Sequence, residues 1–227
     1  MKQFLKKKPQ YGIFKGGVIL KLDVILPGST IWIPERVQGS YSTVAMLYDE
    51  SHKILIDPSH EGSMRFLEEQ FNERNLKPEE ITEVLLTHFH LDHAANSKFF
   101  KNASVYVHEK YRNKPYSNFG IFSGQAYQEM YDQVSKRDIL IKDGDRLFDC
   151  IDVIYTPYHS SEHCSFFVET DNMGKVFFPG DICMTRIELY DVLRGLRTDK
   201  VAEIVKEYYD KSDYIIFTHD SPYRIDK

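Results

Sequence analysis

The feature that most constrains this chain is Thr87-His88-Phe89-His90-Leu91-Asp92-His93, three imidazoles and a carboxylate within six positions. It follows the short apolar run at 83–86, which reads as a buried strand, and it leads into residues 92–100, which read as helical. A tight loop at the end of a buried strand lets such side chains converge on a small volume. Imidazole and carboxylate are the ligands that suit zinc, iron and manganese.

The rest of the chain supplies a frame for that loop. Residues 18–26 are β-branched and aliphatic, and the runs at 42–48 and 53–56 form a hairpin across Asp49-Glu50-Ser51. A helix begins near Ser63, with Met64, Leu67 and Phe71 on one face. Pro78-Glu79-Glu80 predicts a single helical turn, and residues 103–108 a strand. Residues 111–131 read as irregular and aromatic, holding Tyr111, Tyr116, Phe119, Phe122, Tyr127 and Tyr131. Strands are expected at 138–141 and 146–155 around the turn Asp143-Gly144-Asp145, and a hairpin joins 165–169 to 175–178. A last amphipathic helix presents Val201, Ile204, Val205 and Tyr208, and a strand at 214–217 closes the pattern. Strands first and interleaved helices later predict an α/β fold with large sheets covered by helices. No Pro/Gly/Ser-rich linker divides the chain, so a single domain over residues 1–227 is expected.

Three further residues extend the chemistry. His159 follows an expected strand in Thr156-Pro157-Tyr158-His159, Asp181 ends another in Phe178-Pro179-Gly180-Asp181, and His219 ends the last in Phe217-Thr218-His219. Strand ends are where α/β proteins build sites. With the first motif these residues amount to a ligand inventory for two metals.

Taken together, these motifs resemble the metallo-β-lactamase superfamily, across nearly the whole chain. His88-x-His90-x-Asp92-His93 matches its signature, Lys53-Ile54-Leu55-Ile56-Asp57 matches the preceding strand with a terminal Asp, and His159, Asp181 and His219 follow in the family's order. The resemblance implies an αββα sandwich, two mixed β-sheets face to face with helices outside. It implies two divalent metal ions, zinc first, with Mn2+ or Fe2+ as alternatives. His88, His90 and His159 would hold one ion and Asp92, His93 and His219 the other, with Asp181 bridging. Asp57 would orient ligands without binding metal, and His163 would stay off the metal. Where the family has Gly in a Thr-Pro-Gly-His turn this chain has Tyr158, either a hydrogen-bond donor to substrate or a packing residue. The β-lactamases proper carry Arg and Cys at the positions of His93 and Asp181, so antibiotic hydrolysis is not implied. Quorum-sensing lactonases place Tyr where this chain has Met184.

Two metals sharing a carboxylate offer a bridging hydroxide as nucleophile and a Lewis acid for the oxyanion, with Asp92 or Asp181 to orient the one and shuttle its proton. The expected activity is therefore hydrolysis of an ester, lactone or thioester of a small molecule. One rival is a nuclease or phosphodiesterase of the same fold, for which Ser221-Pro222-Tyr223-Arg224 speaks. A net charge of −5 speaks against nucleic acid as partner, and the Lys6-Lys7-Lys8 run reads as a solvated tail. Another rival is a thiol or persulfide dioxygenase with one iron. The aromatic stretch could be a substrate wall, a homodimer contact or core. Cys150, Cys164 and Cys183 read as reduced, buried thiols, and His52, His60 and His108 as structural or exposed. With no apolar leader or membrane span in the sequence, a cytoplasmic location is expected.

Overall fold

The computed structural model describes residues 20–226. The lysines at 2 and 6–8, and the start of the strand expected at 18–26, lie outside these residues.

The chain runs β1 (Lys21–Leu26), β2 (Ser29–Ile33), β3 (Val37–Tyr41), β4 (Val44–Tyr48), β5 (Lys53–Ile56), α1 (Met64–Glu73), β6 (Glu83–Leu85), α2 (Leu91–Ala94), β7 (Ser104–His108), α3 (Ile121–Val134) and β8 (Asp138–Ile141). The second half continues with β9 (Arg146–Leu147), β10 (Ile151–Tyr155), β11 (Cys164–Thr170), β12 (Gly174–Phe178), α4 (Arg186–Leu193), α5 (Lys200–Lys211), β13 (Tyr214–Ile215) and β14 (Tyr223–Arg224). One six-stranded sheet has the order β1-β4-β5-β6-β7-β8, the other β14-β13-β12-β11-β10-β9, and β2 and β3 form a separate hairpin. Both sheets are mixed. The first turns from antiparallel to parallel at β5, and the second has one parallel pair, β12 with β13.

Strand alternation shows why there are four layers. Along β4 and β5, Ala45, Leu47, Ile54 and Ile56 face Phe166, Val168, Val176 and Phe178 of the opposite sheet, while Met46 and Leu55 face outward. The outward residues are apolar too, so each sheet needs cover on its second face. Leu67 and Phe71 of α1 and Met130 and Val134 of α3 cover the first sheet. Leu189 and Val192 of α4 and Val201 and Val205 of α5 cover Phe167 and Phe177 of the second. This is the αββα sandwich expected. No helix among the described residues is long and apolar enough to cross a membrane.

Several local expectations change. Residues 111–131 are not irregular: a 14-residue helix, α3, begins at Ile121 after two short 3-10 turns. Its periodicity is interrupted by Gly124, whose missing Cβ lets Tyr116 O approach to 3.0 Å of where that atom would stand. The stretch divides between core and surface. Tyr111 and Tyr116 are buried, Tyr127 and Tyr131 pack against them, and Ile121 and Phe122 are exposed. The strand expected at 146–155 is a tight hairpin, β9 and β10, turned by Phe148 and Asp149 at φ 50° and 58°. Residues 92–100 hold only the one-turn α2 and a 3-10 segment. The turn at Gly144 links strands of different sheets, β8 and β9.

Candidate metal centre

Each candidate ligand stands where a strand ends. His88 and His90 follow β6, Asp92 and His93 lie in α2, His159 follows β10, Asp181 follows β12, and His219 lies just beyond β13. All these ends lie at one edge of the sandwich, so side chains from both halves meet there. His88, His90 and His159 offer ligand atoms within 4.8 Å of one another, as do His88, His93 and Asp181, and Asp92, His93 and His219. Two of these groups coincide with the sets implied by the resemblance.

The distances define a compact cluster. His90 Nδ1 is 3.0 Å from both His88 Nε2 and His159 Nε2. Asp181 reaches four imidazoles, with contacts of 3.8 Å to His88, 3.4 Å to His93, 3.5 Å to His159 and 3.5 Å to His219. Asp92 reaches His93 at 3.7 Å and His219 at 3.6 Å.

The neighbours of His93, His219 and His88 fix which nitrogen of each ring carries hydrogen. Asp57 Oδ2 accepts from His93 Nδ1 at 2.9 Å, leaving His93 Nε2 as a buried lone pair with no hydrogen-bond partner. The Tyr41 carbonyl accepts from His219 Nδ1 at 3.1 Å, which likewise bares Nε2. Thr87 Oγ1 donates to Asp57 Oδ2 and so accepts from His88 Nδ1, baring His88 Nε2. Bare nitrogens and carboxylate oxygens thus point at one another, an arrangement that repels itself unless a cation lies between.

The donor set suits divalent metal. Two nitrogens each 2.0–2.1 Å from a tetrahedral ion stand about 3.3 Å apart, close to the spacing around His90. Burial lowers His88 well below the usual histidine range, takes His90 to about 4, and lowers His159, so these rings are neutral ligands at neutral pH. Burial also opposes charge on His93, but Asp181 and Asp57 outweigh it and raise its pKa, so that with no ion bound a proton takes the Nε2 lone pair that a metal would otherwise use. Conversely, burial would raise Asp181, yet His93 and His219 hold it well below the usual carboxylate range. Positive charge is favoured where these groups meet.

His163 and Asp57 lie behind the cluster. His163 Nε2 accepts the backbone N–H of Asp181 at 2.9 Å, so its Nδ1 carries the hydrogen that goes to Thr156 Oγ1 at 2.8 Å. Gly180 makes that contact possible: it sits at φ +61°, and a Cβ there would come within 2.3 Å of His163 Nε2. Tyr158, next to His159 in the chain, is 49% exposed, with its phenol in electrostatic reach of Lys200, and is not among the converging groups. The Cys164 and Cys183 thiols are buried and not among these groups.

Sequence reading missed several supporting residues. Thr87 ties Asp57 to the first histidine loop, and Thr218 donates its hydroxyl to Asp181 Oδ1 at 2.8 Å. The Thr-His pairs Thr87-His88 and Thr218-His219 were the available signal. Glu162 and Lys114 form a buried pair that gave none.

A family model described as the metallo-beta-lactamase superfamily matches residues 36–219. Hydroxyacylglutathione hydrolase of Francisella tularensis subsp. novicida is 31% identical over 143 residues, 60% of this chain and 45% of that protein. N-acyl homoserine lactonase of Bacillus thuringiensis is 24% identical over 166 residues, 63% of this chain and 58% of that protein. The chain spans about half the length of the curated relatives it matches. A solved Thermotoga maritima protein assigned to the metallo-beta-lactamases superposes with a TM-score of 0.87 at 36% identity, covering 92% of this chain and 100% of that one. With that match running over most of its length, the chain belongs to the metallo-beta-lactamase superfamily.

Proposed function

We propose that this protein is a hydrolase using two divalent metal ions, zinc first, to cleave an ester, lactone or thioester of a small molecule. The observation that carries the reading is the set of bare imidazole nitrogens facing Asp92 and Asp181, each ring whose outer nitrogen is fixed being held by a protein acceptor. The names of the thioester- and lactone-cleaving relatives support the substrate class.

His88, His90 and His159 would hold one ion, Asp92, His93 and His219 the other, and Asp181 would serve both. Bound there, divalent ions supply an acidified water as nucleophile and a Lewis acid for the carbonyl oxygen. The chain's own residues divide the remaining work. Asp181, its side chain 5% exposed and held by Thr218, is a fixed negative charge that keeps the cluster together. Asp92, 25% exposed, is the carboxylate open to solvent: its Oδ2 faces His93 and His219 as the ligand atom, which leaves the other oxygen to take up a proton and pass it to a leaving group. Tyr158, half exposed and next to His159 in the chain, would meet substrate rather than metal.

The test combines metal content with a substrate panel. Protein purified without chelator or added metal should carry about two divalent ions per chain, and should cleave a thioester, ester or lactone in a reaction abolished by chelation. A single iron with oxygen consumption would replace this reading with the dioxygenase. Salt-sensitive cleavage of nucleic acid with inert esters would replace it with the nuclease.

A further inference from the structure

A buried ion pair behind the cluster has no part in the chemistry above. Glu162 is fully buried, and its Oε1 lies 2.5 Å from Lys114 Nζ, whose side chain is only 14% exposed. Charged side chains are rarely buried unless paired, and desolvation makes such a pair a poor source of stability. Its other contacts suggest what it does instead.

Glu162 Oε1 also accepts the backbone N–H of Phe89 at 3.2 Å. Phe89 lies between His88 and His90, and Glu162 lies three residues after His159. One carboxylate therefore joins the loop that carries His88 and His90 to the loop that carries His159, across the boundary between the two halves. Lys114 adds a third segment. It lies in the connection between Tyr111 and Tyr116, whose rings pack 5.0 and 5.4 Å from that of Phe89. Backbone and side chain of Phe89 are thus both tied to residues 111–116, the backbone through Glu162 and Lys114, the ring through Tyr111 and Tyr116.

We propose that Glu162 and Lys114 are positioning residues that set the mutual spacing of His88, His90 and His159, and so the affinity of that position for its ion. The inference rests on the metal-binding reading above. With Glu162 fully buried and the Lys114 side chain 14% exposed, neither is placed to reach a substrate from solvent. Glu162 supplies the acceptor that anchors Phe89, and Lys114 keeps that carboxylate charged and in place.

Chelator competition on the whole protein tests this, using Zn2+ for affinity and Co2+ for its visible absorption as a report of coordination geometry. Glu162→Leu, which removes the acceptor, should weaken one of the two ions by about 10–100-fold and change the Co2+ spectrum of that position, leaving the other ion as in wild type. The paired substitution Lys114→Met with Glu162→Gln keeps an amide oxygen for the Phe89 N–H and should recover most of the lost affinity. A pair that merely held the fold together would lower the unfolding midpoint without moving either affinity. If Glu162→Leu does not fold, Lys114→Met alone carries the test, with loss of affinity at one ion expected. Wild-type competition curves and Co2+ spectra in the variant that folds would overturn the inference while leaving the metal reading intact. A wild-type protein that takes up no ion would overturn the metal reading itself.

Discussion

His93 is held at Nδ1 by the Asp57 carboxylate at 2.9 Å, and the same carboxylate accepts the backbone N–H and the hydroxyl of Thr87. One side chain at the end of β5 thus fixes the hydrogen of a histidine in α2 and the start of the loop after β6. Asp57 adopts φ 48°, uncommon for a residue with a side chain, and is 1% exposed. Asp57→Asn keeps the shape but turns an NH2 group toward one of these donors. If it faces His93, hydrogen moves to Nε2, the atom a metal needs. Zinc affinity at the position of His93 should fall about 10–100-fold, read by chelator competition, with little change in secondary structure by circular dichroism. Unchanged affinity would show that Asp57 serves the turn alone.

Gly180 and His163 give a prediction about stability. A methyl at Gly180 meets both the left-handed backbone and the His163 ring at 2.3 Å, and the ring cannot retreat without releasing the N–H of Asp181. Gly180→Ala should cost upwards of about 2 kcal/mol in urea unfolding of the metal-free protein. It should also loosen both ions, because Asp181 moves with its amide. A variant with wild-type stability would mean that the turn can flatten freely.

The metal-site candidates were legible because each histidine or aspartate falls where an apolar run stops, and because His88, His90, Asp92 and His93 are too dense to arise from ordinary surface composition. The layers were legible from alternation such as Ile54, Leu55 and Ile56, apolar on both faces. What escaped notice lacks a local signal. The β2–β3 hairpin turns through Glu35 at φ 58° with no Gly or Asn to announce it, and its Ile31, Trp32 and Ile33 are exposed, so no core pattern marks it. Helix α4 exposes Ile187 and Tyr190 while burying Leu189 and Val192, which blurs its amphipathic period. Glu162 was unreadable for a different reason: its partners, Phe89 and Lys114, come from other parts of the chain.

The three cysteines should be nearly inert in the folded protein. Burial pushes the Cys150 thiol up to about 11 and the Cys183 thiol to about 12, and raises Cys164 as well. Reaction with a disulfide reagent at pH 8 should be slow for all three and become fast in denaturant. For Cys150 the sign of the pH effect follows directly. Between its ordinary value near 9 and about 11 the folded thiol keeps a proton that the unfolded chain releases, so its contribution to stability is lost as pH rises through that window. Cys150→Ala should flatten this part of the alkaline stability curve. An unchanged slope would assign it to the other two thiols and the buried tyrosines, which burial raises in the same direction.

Tyr158→Phe separates substrate contact from metal binding. With its side chain half exposed and outside the cluster, the variant should keep both ions and the wild-type unfolding midpoint. Steady-state kinetics on a cleaved ester should show a higher KM, with kcat within about threefold. A large fall in kcat alone would make Tyr158 a donor to the transition state. No kinetic change would leave it a surface residue.

Asp92 and Asp181 differ in how many imidazoles they serve, and this makes their roles separable by counting ions. Asp181 lies within 3.8 Å of His88, His93, His159 and His219, which span both candidate positions, whereas Asp92 meets only His93 and His219 among the clustered rings. Replacing Asp181 withdraws negative charge from both positions and leaves His88, His90 and His159 with no carboxylate to share a cation with. Replacing Asp92 withdraws it from one side. Asp181→Asn should therefore retain less than about one ion per chain after dialysis and lose turnover with it. Asp92→Asn should retain about one ion, held by His88, His90 and His159, and lose turnover even when excess zinc restores the second, because the proton-carrying oxygen is gone. Elemental analysis of both variants beside wild type makes the comparison. Two tightly held ions in Asp181→Asn would contradict its place between the two groups, and full turnover in zinc-saturated Asp92→Asn would move the proton transfer to another residue.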